Sequence, residues 1–360
     1  MSIFLRTDAE LASRLERIAS AAEIALDTEF HPERSYFPKP LLIQLRPDEG
    51  EVLLVDATTV TDLRPLAQVL CDRPLLVHGG ASDVGILSRL AGRSPTAVFD
   101  TQVAAGFIGL GYPRPLRDLT RAVLAKVIDK SETLSDWSRR PLSTDQLRYA
   151  AEDVLVLAPL AANLRGRVVA TGRDPLFREC MAERLESWIS APNDAAAWQR
   201  MHSAHLVDEE RGALQALAEW REATAREANV QAHTILPDAM LQDLARRRPR
   251  TIEQMRENRR MPTGVWKSHG PAILGALSAA VHRSPPPALV RGLPYDLARL
   301  AARVAEAESG VSADLVFVDC SDDYNLREKS RVGWRAAVLG SGWLDFVDGR
   351  RSIAMPGRWG

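Results

Sequence analysis

The chain has 360 residues, of which 46% are hydrophobic and 26% charged, and its formal net charge is −1. This length and apolar content allow two or three domains with sizeable cores. The near-neutral charge gives no global basic field, and no run approaches the ~18 apolar residues of a membrane helix. The three scattered cysteines, Cys71, Cys180 and Cys320, lack metal-ligand spacing and are typical of a reducing compartment. We therefore expect a cytoplasmic protein without a signal peptide.

Strand and helix signals alternate through residues 1–172, which we predict to form the first domain. The predicted strands cover residues 23–30, 41–45, 52–56, 75–78 and 98–101. The predicted helices cover residues 8–22, 62–70, 82–90, 117–126 and 143–170, with a further one starting at 102. This order predicts a mixed sheet flanked by helices. The proline-bearing segment 31–40 between the first two strands is predicted to be an exposed loop.

Asp27 and Glu29 lie two residues apart in the first of these strands. Period-2 alternation places both carboxylates on one face of the sheet. Like charges with little water between them are tolerated mainly when a cation binds between them or when one is protonated. The pair therefore predicts a metal ion or a proton at this point. Taken alone, an Asp-x-Glu at a strand end is also typical of a solvated strand terminus.

A second candidate stretch begins with the capping box Ser143 to Gln146 and continues at helical spacing. Tyr149 and Asp153 then lie one turn apart on the same helix face. A tyrosine has a reference pKa near ~10, so it would orient a water without deprotonating it. The alternative interpretation makes Tyr149 an amphipathic core residue and Asp153 a solvated helix acid.

Asp83 is a candidate fourth acid, because it follows an apolar strand and a glycine turn at the start of a helix. Its alternative role is local. A carboxylate in the first turn of a helix is favoured by the helix dipole, whether or not it binds anything.

Five blocks occur in this order: Asp27-Thr28-Glu29-Phe30, His78-x-Gly80-x-x-Asp83, Phe99-Asp100-Thr101-Gln102, Asp129-Lys130-Ser131-Glu132 with Asp136-Trp137, and Tyr149-x-x-x-Asp153. Together they resemble the ribonuclease D family, the tyrosine-type branch of the DEDD 3′–5′ exonucleases, which has a ribonuclease-H-like α/β fold. The resemblance implies two divalent metal ions, Mg²⁺ or Mn²⁺, held by Asp27, Glu29, Asp83 and Asp153. It also implies that Tyr149 and Glu29 position the attacking water.

The same blocks suggest residues around the site. His78 and Asp100 are predicted to shape its walls without binding metal. His31 and Lys130 are candidate phosphate contacts, and the alternative for both is an exposed loop residue.

After a helical connector predicted at 173–206, residues 207–284 are predicted to be all-α. The residues that carry a second resemblance are Trp220-Arg221, Pro237, Leu241-x-x-Leu244-Ala245 and His269-Gly270-x-x-Ile273-Leu274. They are similar to the domain shared by helicases and ribonuclease D C-termini (HRDC), a small helical bundle that holds nucleic acid. A basic strip there supplies candidate RNA contacts at Arg246, Arg247, Arg248 and Arg250. A solvated charged helix face is the alternative.

The stiff segment Ser284-Pro285-Pro286-Pro287 separates a last region, residues 285–360. It loosely resembles a second, degenerate HRDC-like domain, with anchors at 293–295, 312–315 and 342–343. The fold prediction is therefore an exonuclease domain followed by one or two all-α bundles. We expect residues 348–360 to be frayed.

The resulting hypothesis is a metal-dependent 3′–5′ exoribonuclease that trims structured RNA precursors such as transfer RNA. It would release nucleoside 5′-monophosphates by a two-metal-ion mechanism. The expected partner is RNA with a free 3′ end, with no membrane and no obligate protein partner. Two alternatives stay open. One is a DNA-directed exonuclease of the same superfamily, because four acids do not report the sugar, and the other is a non-catalytic RNA-binding protein.

Overall fold

The structure is a computed structural model that describes residues 2–31, 35–48, 50–128, 132, 135–190, 194–201, 205–258, 261–283, 285–286, 303, 306–307, 309–317, 329–340 and 343. The candidate Lys130 and the predicted frayed end, 348–360, lie outside these residues.

A mixed sheet forms the centre of the N-terminal domain. Its strands are β1 (Ser2–Leu5), β2 (Ile24–Phe30), β3 (Pro40–Pro47), β4 (Val52–Asp56), β5 (Leu75–Val77) and β6 (Val98–Asp100). Their order across the six-stranded sheet of the described chain is β1–β4–β3–β2–β5–β6. β2, β3 and β4 are antiparallel neighbours, while β1 runs parallel to β4, and β5 runs parallel to both β2 and β6. The predicted mixed sheet is confirmed.

The sequence prediction missed β1. This strand has four residues, which is too short for an alternation pattern to be recognised. It exists because it pairs with the buried strand β4 over its whole length, from Ser2 opposite Val52 to Leu5 opposite Val55.

Helices flank the sheet and form the second domain. They are α1 (Asp8–Ser20), α2 (Arg64–Cys71), α3 (Ala81–Ala91), α4 (Thr101–Phe107), α5 (Leu116–Leu124), α6 (Thr144–Ala170), α7 (Asp174–Ile189), α8 (Asp208–Ala228), α9 (Ala232–Ile235), α10 (Asp238–Arg247), α11 (Ile252–Arg256) and α12 (Thr263–Ala280). The predicted capping box of α6 is present, because Ser143 Oγ accepts from Gln146 N and Gln146 Oε1 accepts from Ser143 N. Among the helices described, none has both the length and the apolar content needed to cross a bilayer.

The two faces of the sheet contribute to different cores. Leu42 and Leu54 pack with residues of α6 on one face, and Ile43 and Val55 pack with residues of α1 and α2 on the other. Residues directly opposite each other on antiparallel strands point to the same side. Glu29 is opposite Leu42, so the acid pair of β2 lies on the α6 face of the sheet.

Helices α8 to α12 form a second domain with its own core, which includes Trp198, Leu214, Leu217, Leu241, Leu244 and Ile273. This domain contacts the segment that follows β2. Tyr36 Oη donates to Glu222 Oε2 at 3.0 Å, and the backbone N–H of Phe37 donates to Asn229 Oδ1 at 3.1 Å. The prediction of an exposed loop over 31–40 is therefore wrong for these residues, because the helical domain half-buries both aromatic rings.

The described part of the last region contains two short helices, Ala313–Val316 and Gly333–Leu339. They pack into the core of the N-terminal domain. The Trp334 ring lies 5.4 Å from the Phe107 ring, and a Cβ at Gly106 would meet Leu315 at 2.8 Å. Ser312 N also donates to Gly106 O at 2.7 Å. This packing was not predicted, because residues 285–360 were expected to form a separate domain.

Candidate active site

Strand β2 and helix α6 bring three of the predicted acids together. Each of Asp27, Glu29 and Asp153 offers a carboxylate oxygen, and these atoms all lie within 4.8 Å of one another. The strand alternation turns Asp27 and Glu29 towards α6, and the start of α6 at the Ser143 cap determines which of its residues face back. Three of the four predicted acids therefore converge, and Asp83 is not part of this group.

Asp83 lies beside this cluster, in the first turn of α3. It is 7% exposed, and Thr28 Oγ1 donates to its Oδ1 at 2.5 Å. The turn before α3 is held by Asp100, whose carboxylate accepts from the N–H groups of Gly79 and Gly80, each at 3.0 Å. Gly79 has φ +64°, a left-handed conformation that favours glycine. Asp100 thus holds the turn before α3 and does not itself line the cleft.

Burial and the neighbouring acids raise the affinity of Asp27 for a proton. Loss of solvent first, and then the charges of Asp83, Asp153 and Glu29, raise the pKa of Asp27 well above its ordinary value. Burial raises the pKa of Asp83 to about 6, against the lowering effect of its hydrogen bond from Thr28. The site therefore carries concentrated negative charge that favours binding of protons or cations.

The carboxylates open into a cleft of about 290 Å³. Its lining residues are Asp27, Thr28, Glu29, His78, Gln102, Pro115, Leu116, Tyr149, Asp153 and Leu157. Tyr149 is 7% exposed, and its ring packs against Trp137 with 6.0 Å between centroids. His78 Nε2 lies 2.9 Å from the carbonyl oxygen of Arg114, and Nδ1 lies 2.9 Å from Thr101 Oγ1. Both ring nitrogens contact protein groups, as a wall residue requires.

The donor set fits a hard divalent cation. Mg²⁺ and Mn²⁺ prefer oxygen ligands, and Mg²⁺ is commonly held by one or two carboxylates together with water and substrate phosphate. Three carboxylate oxygens within 4.8 Å of one another provide such ligands. The charges of Asp83, Asp153 and Glu29, which add to burial in raising the pKa of Asp27, also favour a cation at this position.

The residues predicted to contact RNA lie elsewhere. His31 directly follows β2, and its Nε2 lies 3.3 Å from Asp136 Oδ1. Arg246, Arg247, Arg248 and Arg250 are exposed around the end of α10 in the helical domain, and none of them lines the cleft. Arg247 pairs with Asp243 at 2.9 Å and Arg248 pairs with Glu209. Their contacts with RNA stay predictions.

Sequence reasoning missed a buried ion pair next to the site. Arg140 bonds both carboxylate oxygens of Asp56 at 2.6 Å, although the two residues are 84 positions apart. It also missed Gln44, which is fully buried on β3 directly opposite Asp27. A charged residue at the end of a buried strand was the available signal for Asp56, because it is the same signal that identified Asp27.

The chain is similar to known proteins in both domains. Residues 3–168 match the 3′–5′ exonuclease family and residues 210–277 match the HRDC domain. The chain is 32% identical to ribonuclease D of Sphingobium indicum over 377 residues, covering 98% of this chain and 96% of that protein. It is 31% identical to ribonuclease D of Escherichia coli over 281 residues, covering 77% and 74%.

A solved structure is similar over the same extent. The crystal structure of Escherichia coli RNase D, described as an exoribonuclease involved in structured RNA processing, superposes with a TM-score of 0.82 at 25% identity. The superposition covers 98% of this chain and 100% of that chain. The similarity therefore includes the last region as well as the two domains before it.

Proposed function

This chain belongs to the ribonuclease D family, as its five sequence blocks indicated, and we propose that it trims structured RNA precursors such as those of transfer RNA. It is a 3′–5′ exoribonuclease. The product of each cycle would be a nucleoside 5′-monophosphate. The observation that carries the nuclease chemistry is the meeting of Asp27, Glu29 and Asp153 within 4.8 Å, in a cleft that Tyr149 also lines.

The family depends on divalent metal, and the acid cluster of this chain fits such ions. We propose two of them, Mg²⁺ or Mn²⁺, held by Asp27, Glu29, Asp83 and Asp153. When bound, they would supply positive charge that neutralises the scissile phosphate and the departing 3′ oxygen. Asp83 is not among the residues that line the cleft, and we include it in this set because its charge helps to raise the pKa of Asp27.

The protein's own groups would place the reactants. Tyr149 and Glu29 line the same cleft, so the phenol hydroxyl and the carboxylate can hold one water in line with the phosphate. The carboxylate accepts a hydrogen bond from the water, and the hydroxyl fixes its orientation. The wall residues His78, Gln102 and Leu116 would enclose the terminal nucleotide.

The helical domain would add contacts to the body of the RNA. Arg246, Arg247, Arg248 and Arg250 are exposed, and HRDC domains are the part of the family's architecture that this segment matches. Phosphate contacts of this kind weaken as salt increases, because binding releases counterions.

The test uses the purified full chain with three 5′-labelled substrates: a transfer RNA with a 3′ extension, a single-stranded RNA and a DNA of the same sequence. With Mn²⁺ or Mg²⁺ we expect stepwise shortening from the 3′ end of both RNAs, with nucleoside 5′-monophosphates as products, and no shortening in EDTA. Faster hydrolysis of the DNA would favour the DNA-directed alternative. An intact transfer RNA extension beside a degraded single strand would overturn the proposed substrate, and no hydrolysis of any substrate would favour the non-catalytic alternative.

A further inference from the structure

The guanidinium of Arg140 lies between the sheet and the segment that precedes α6. It has five N–H groups, and each has an acceptor at hydrogen-bond distance. Nε and Nη2 bond the two oxygens of Asp56 at 2.6 Å, Nη2 also bonds Leu41 O at 2.9 Å, and Nη1 bonds the carbonyls of Trp137 and Arg139 at 2.8 Å. A planar fork with every donor used holds its acceptors in one fixed arrangement.

The sheet side of this arrangement lies on the same face of the sheet as the metal-site acids. Glu29 on β2 is opposite Leu42 on β3, and Leu42 is opposite Asp56 on β4, so the three residues form one row across the sheet. Adjacent strands lie about 4.8 Å apart, which places Asp56 two strands, or about 10 Å, from Glu29 on the same face. Arg140 also bonds the carbonyl of Leu41, the residue next to this row.

The other side of the arrangement supports the tyrosine. Arg140 Nη1 bonds the carbonyl of Trp137, and the ring of Trp137 packs against Tyr149 at an interplanar angle of 46°. Trp137 is 3% exposed, so its ring has little freedom to move. The Arg140 side chain thus fixes two backbone segments. One is at Leu41, next to the row of Glu29, and the other is at Trp137, whose ring packs against Tyr149.

We propose that Arg140 is a positioning residue for the hydrolysis, acting through Trp137 to set where the Tyr149 hydroxyl lies relative to the row of Glu29. This inference rests on the proposed function, which gives Tyr149 and Glu29 the attacking water. Arg140 itself touches neither water nor substrate. Its loss should lower the rate of the chemical step and leave RNA affinity nearly unchanged, because only the alignment of the groups around the water is affected.

The test compares Arg140→Lys with Arg139→Lys in the full chain. Lysine keeps the charge but has three donors on one atom and cannot bridge Asp56, Leu41 and Trp137 together. Arg139 is the matched control, because its side chain is 85% exposed and lies 3.4 Å from Asp136. We expect the single-turnover rate on a short single-stranded RNA with saturating Mn²⁺ to fall roughly ten- to hundredfold for Arg140→Lys. Arg139→Lys should stay within about threefold of the unmodified protein, and KM should change less than about threefold in both.

A double-mutant cycle with Tyr149→Phe separates positioning from general loss of structure. If Arg140 acts through Tyr149, Arg140→Lys should cost much less in the Tyr149→Phe background than alone. An equal cost in both backgrounds would overturn the inference. Thermal unfolding and calorimetric titration of Mn²⁺ on each variant provide readouts that do not depend on activity.

Substitutions of Trp137 give a second route should Arg140→Lys fail to fold. Trp137→Phe keeps a ring against Tyr149, and Trp137 Nε1 has no hydrogen-bond partner in the described part of the chain, so this variant should lose less of the single-turnover rate than Trp137→Leu. Trp137→Leu removes the ring and should show the same reduced cost in the Tyr149→Phe background. An unmodified protein that does not hydrolyse RNA would refute the proposed function itself. An active protein with a slow Tyr149→Phe variant and fully active Arg140→Lys and Trp137→Leu variants would refute only this inference.

Discussion

Asp27 and Asp56 are two aspartates on the α6 face of the same sheet, and the charged groups around them have opposite signs. Burial alone would raise the pKa of Asp56, but the hydrogen bonds from Arg140 and Thr58 lower it below its ordinary value. Burial raises the pKa of Asp27, and the charges that add to this effect are those of other carboxylates. The fold thus supplies its own cation to the acid that holds structure, and it concentrates negative charge where a cation from solution would bind.

The most severe test of this contrast removes a carboxylate charge from the cluster. Asp27→Asn or Asp153→Asn should lower RNA hydrolysis by more than about a hundredfold, because loss of a metal ligand should exceed the 10- to 100-fold losses found for outer-shell partners. The fold should persist, since the substitution relieves repulsion in the metal-free protein. Initial rates in Mn²⁺ and circular dichroism measure the two expectations.

Asp145→Asn is the matched control, because Asp145 lies on α6 two turns before Asp153, is exposed and pairs with Arg148. It should hydrolyse RNA at the unmodified rate. Near-normal activity in Asp27→Asn or in Asp153→Asn would remove that residue from the metal site.

An effect of intermediate size is expected on the free energy of unfolding, and substitutions of two aspartates should change it in opposite directions. The pKa of Asp83 is about 6 in the folded protein and its ordinary value is 3.8, so the folded state retains a proton that the unfolded state loses between these values. Stability contributed by this group therefore falls as pH rises from about 4 to about 6. In EDTA at pH 8, Asp83→Asn should raise the free energy of unfolding by about 1–3 kcal/mol. Below pH 4 the difference should vanish.

Asp56 provides the opposite case. Its lowered pKa means that its charge stabilises the fold above about pH 4, and this contribution is lost as pH falls further. Asp56→Asn should therefore destabilise the protein at pH 8. Urea unfolding of both variants at pH 8 and pH 4 measures the two effects. If both substitutions changed the free energy of unfolding at pH 8 in the same direction, the contrast between the two aspartates would be contradicted.

The smallest effect concerns cations that face solvent. Replacing Arg246, Arg247 and Arg248 with Gln should weaken binding of a long RNA a few-fold and flatten its salt dependence, because exposed cations act on phosphate through counterion release. The single-turnover rate on a short RNA should not change. Arg283→Gln is the control, since Arg283 is an exposed residue of the same domain that pairs with Glu219. An unchanged salt slope would assign the strip to a solvated helix face.

The sequence predicted the parts of the site that local geometry determines. Strand alternation placed Asp27 and Glu29 on one face, and helical spacing with the Ser143 cap placed Tyr149 and Asp153 on another, and the structure joins these faces. The mixed sheet and the helical domain are likewise confirmed.

What the sequence could not predict depends on contacts between remote residues. The bond between Asp56 and Arg140 spans 84 positions and has no periodicity. The segment around Tyr36 has the composition of an exposed loop, and only the presence of Glu222 and Asn229 on a separate domain changes its environment. Propensity describes what a segment prefers alone, and tertiary partners override that preference.

The packing of Leu315 and Trp334 into the N-terminal core has a consequence for synthesis on the ribosome. Gly106 and Phe107 emerge from the ribosome well before Leu315 and Trp334, the residues that cover them. Domains generally fold as they emerge, but this one must wait for Leu315 and Trp334 before its apolar interior is closed. Nascent chains halted near residue 285 should expose that interior, and they should therefore be the species that chaperones retain.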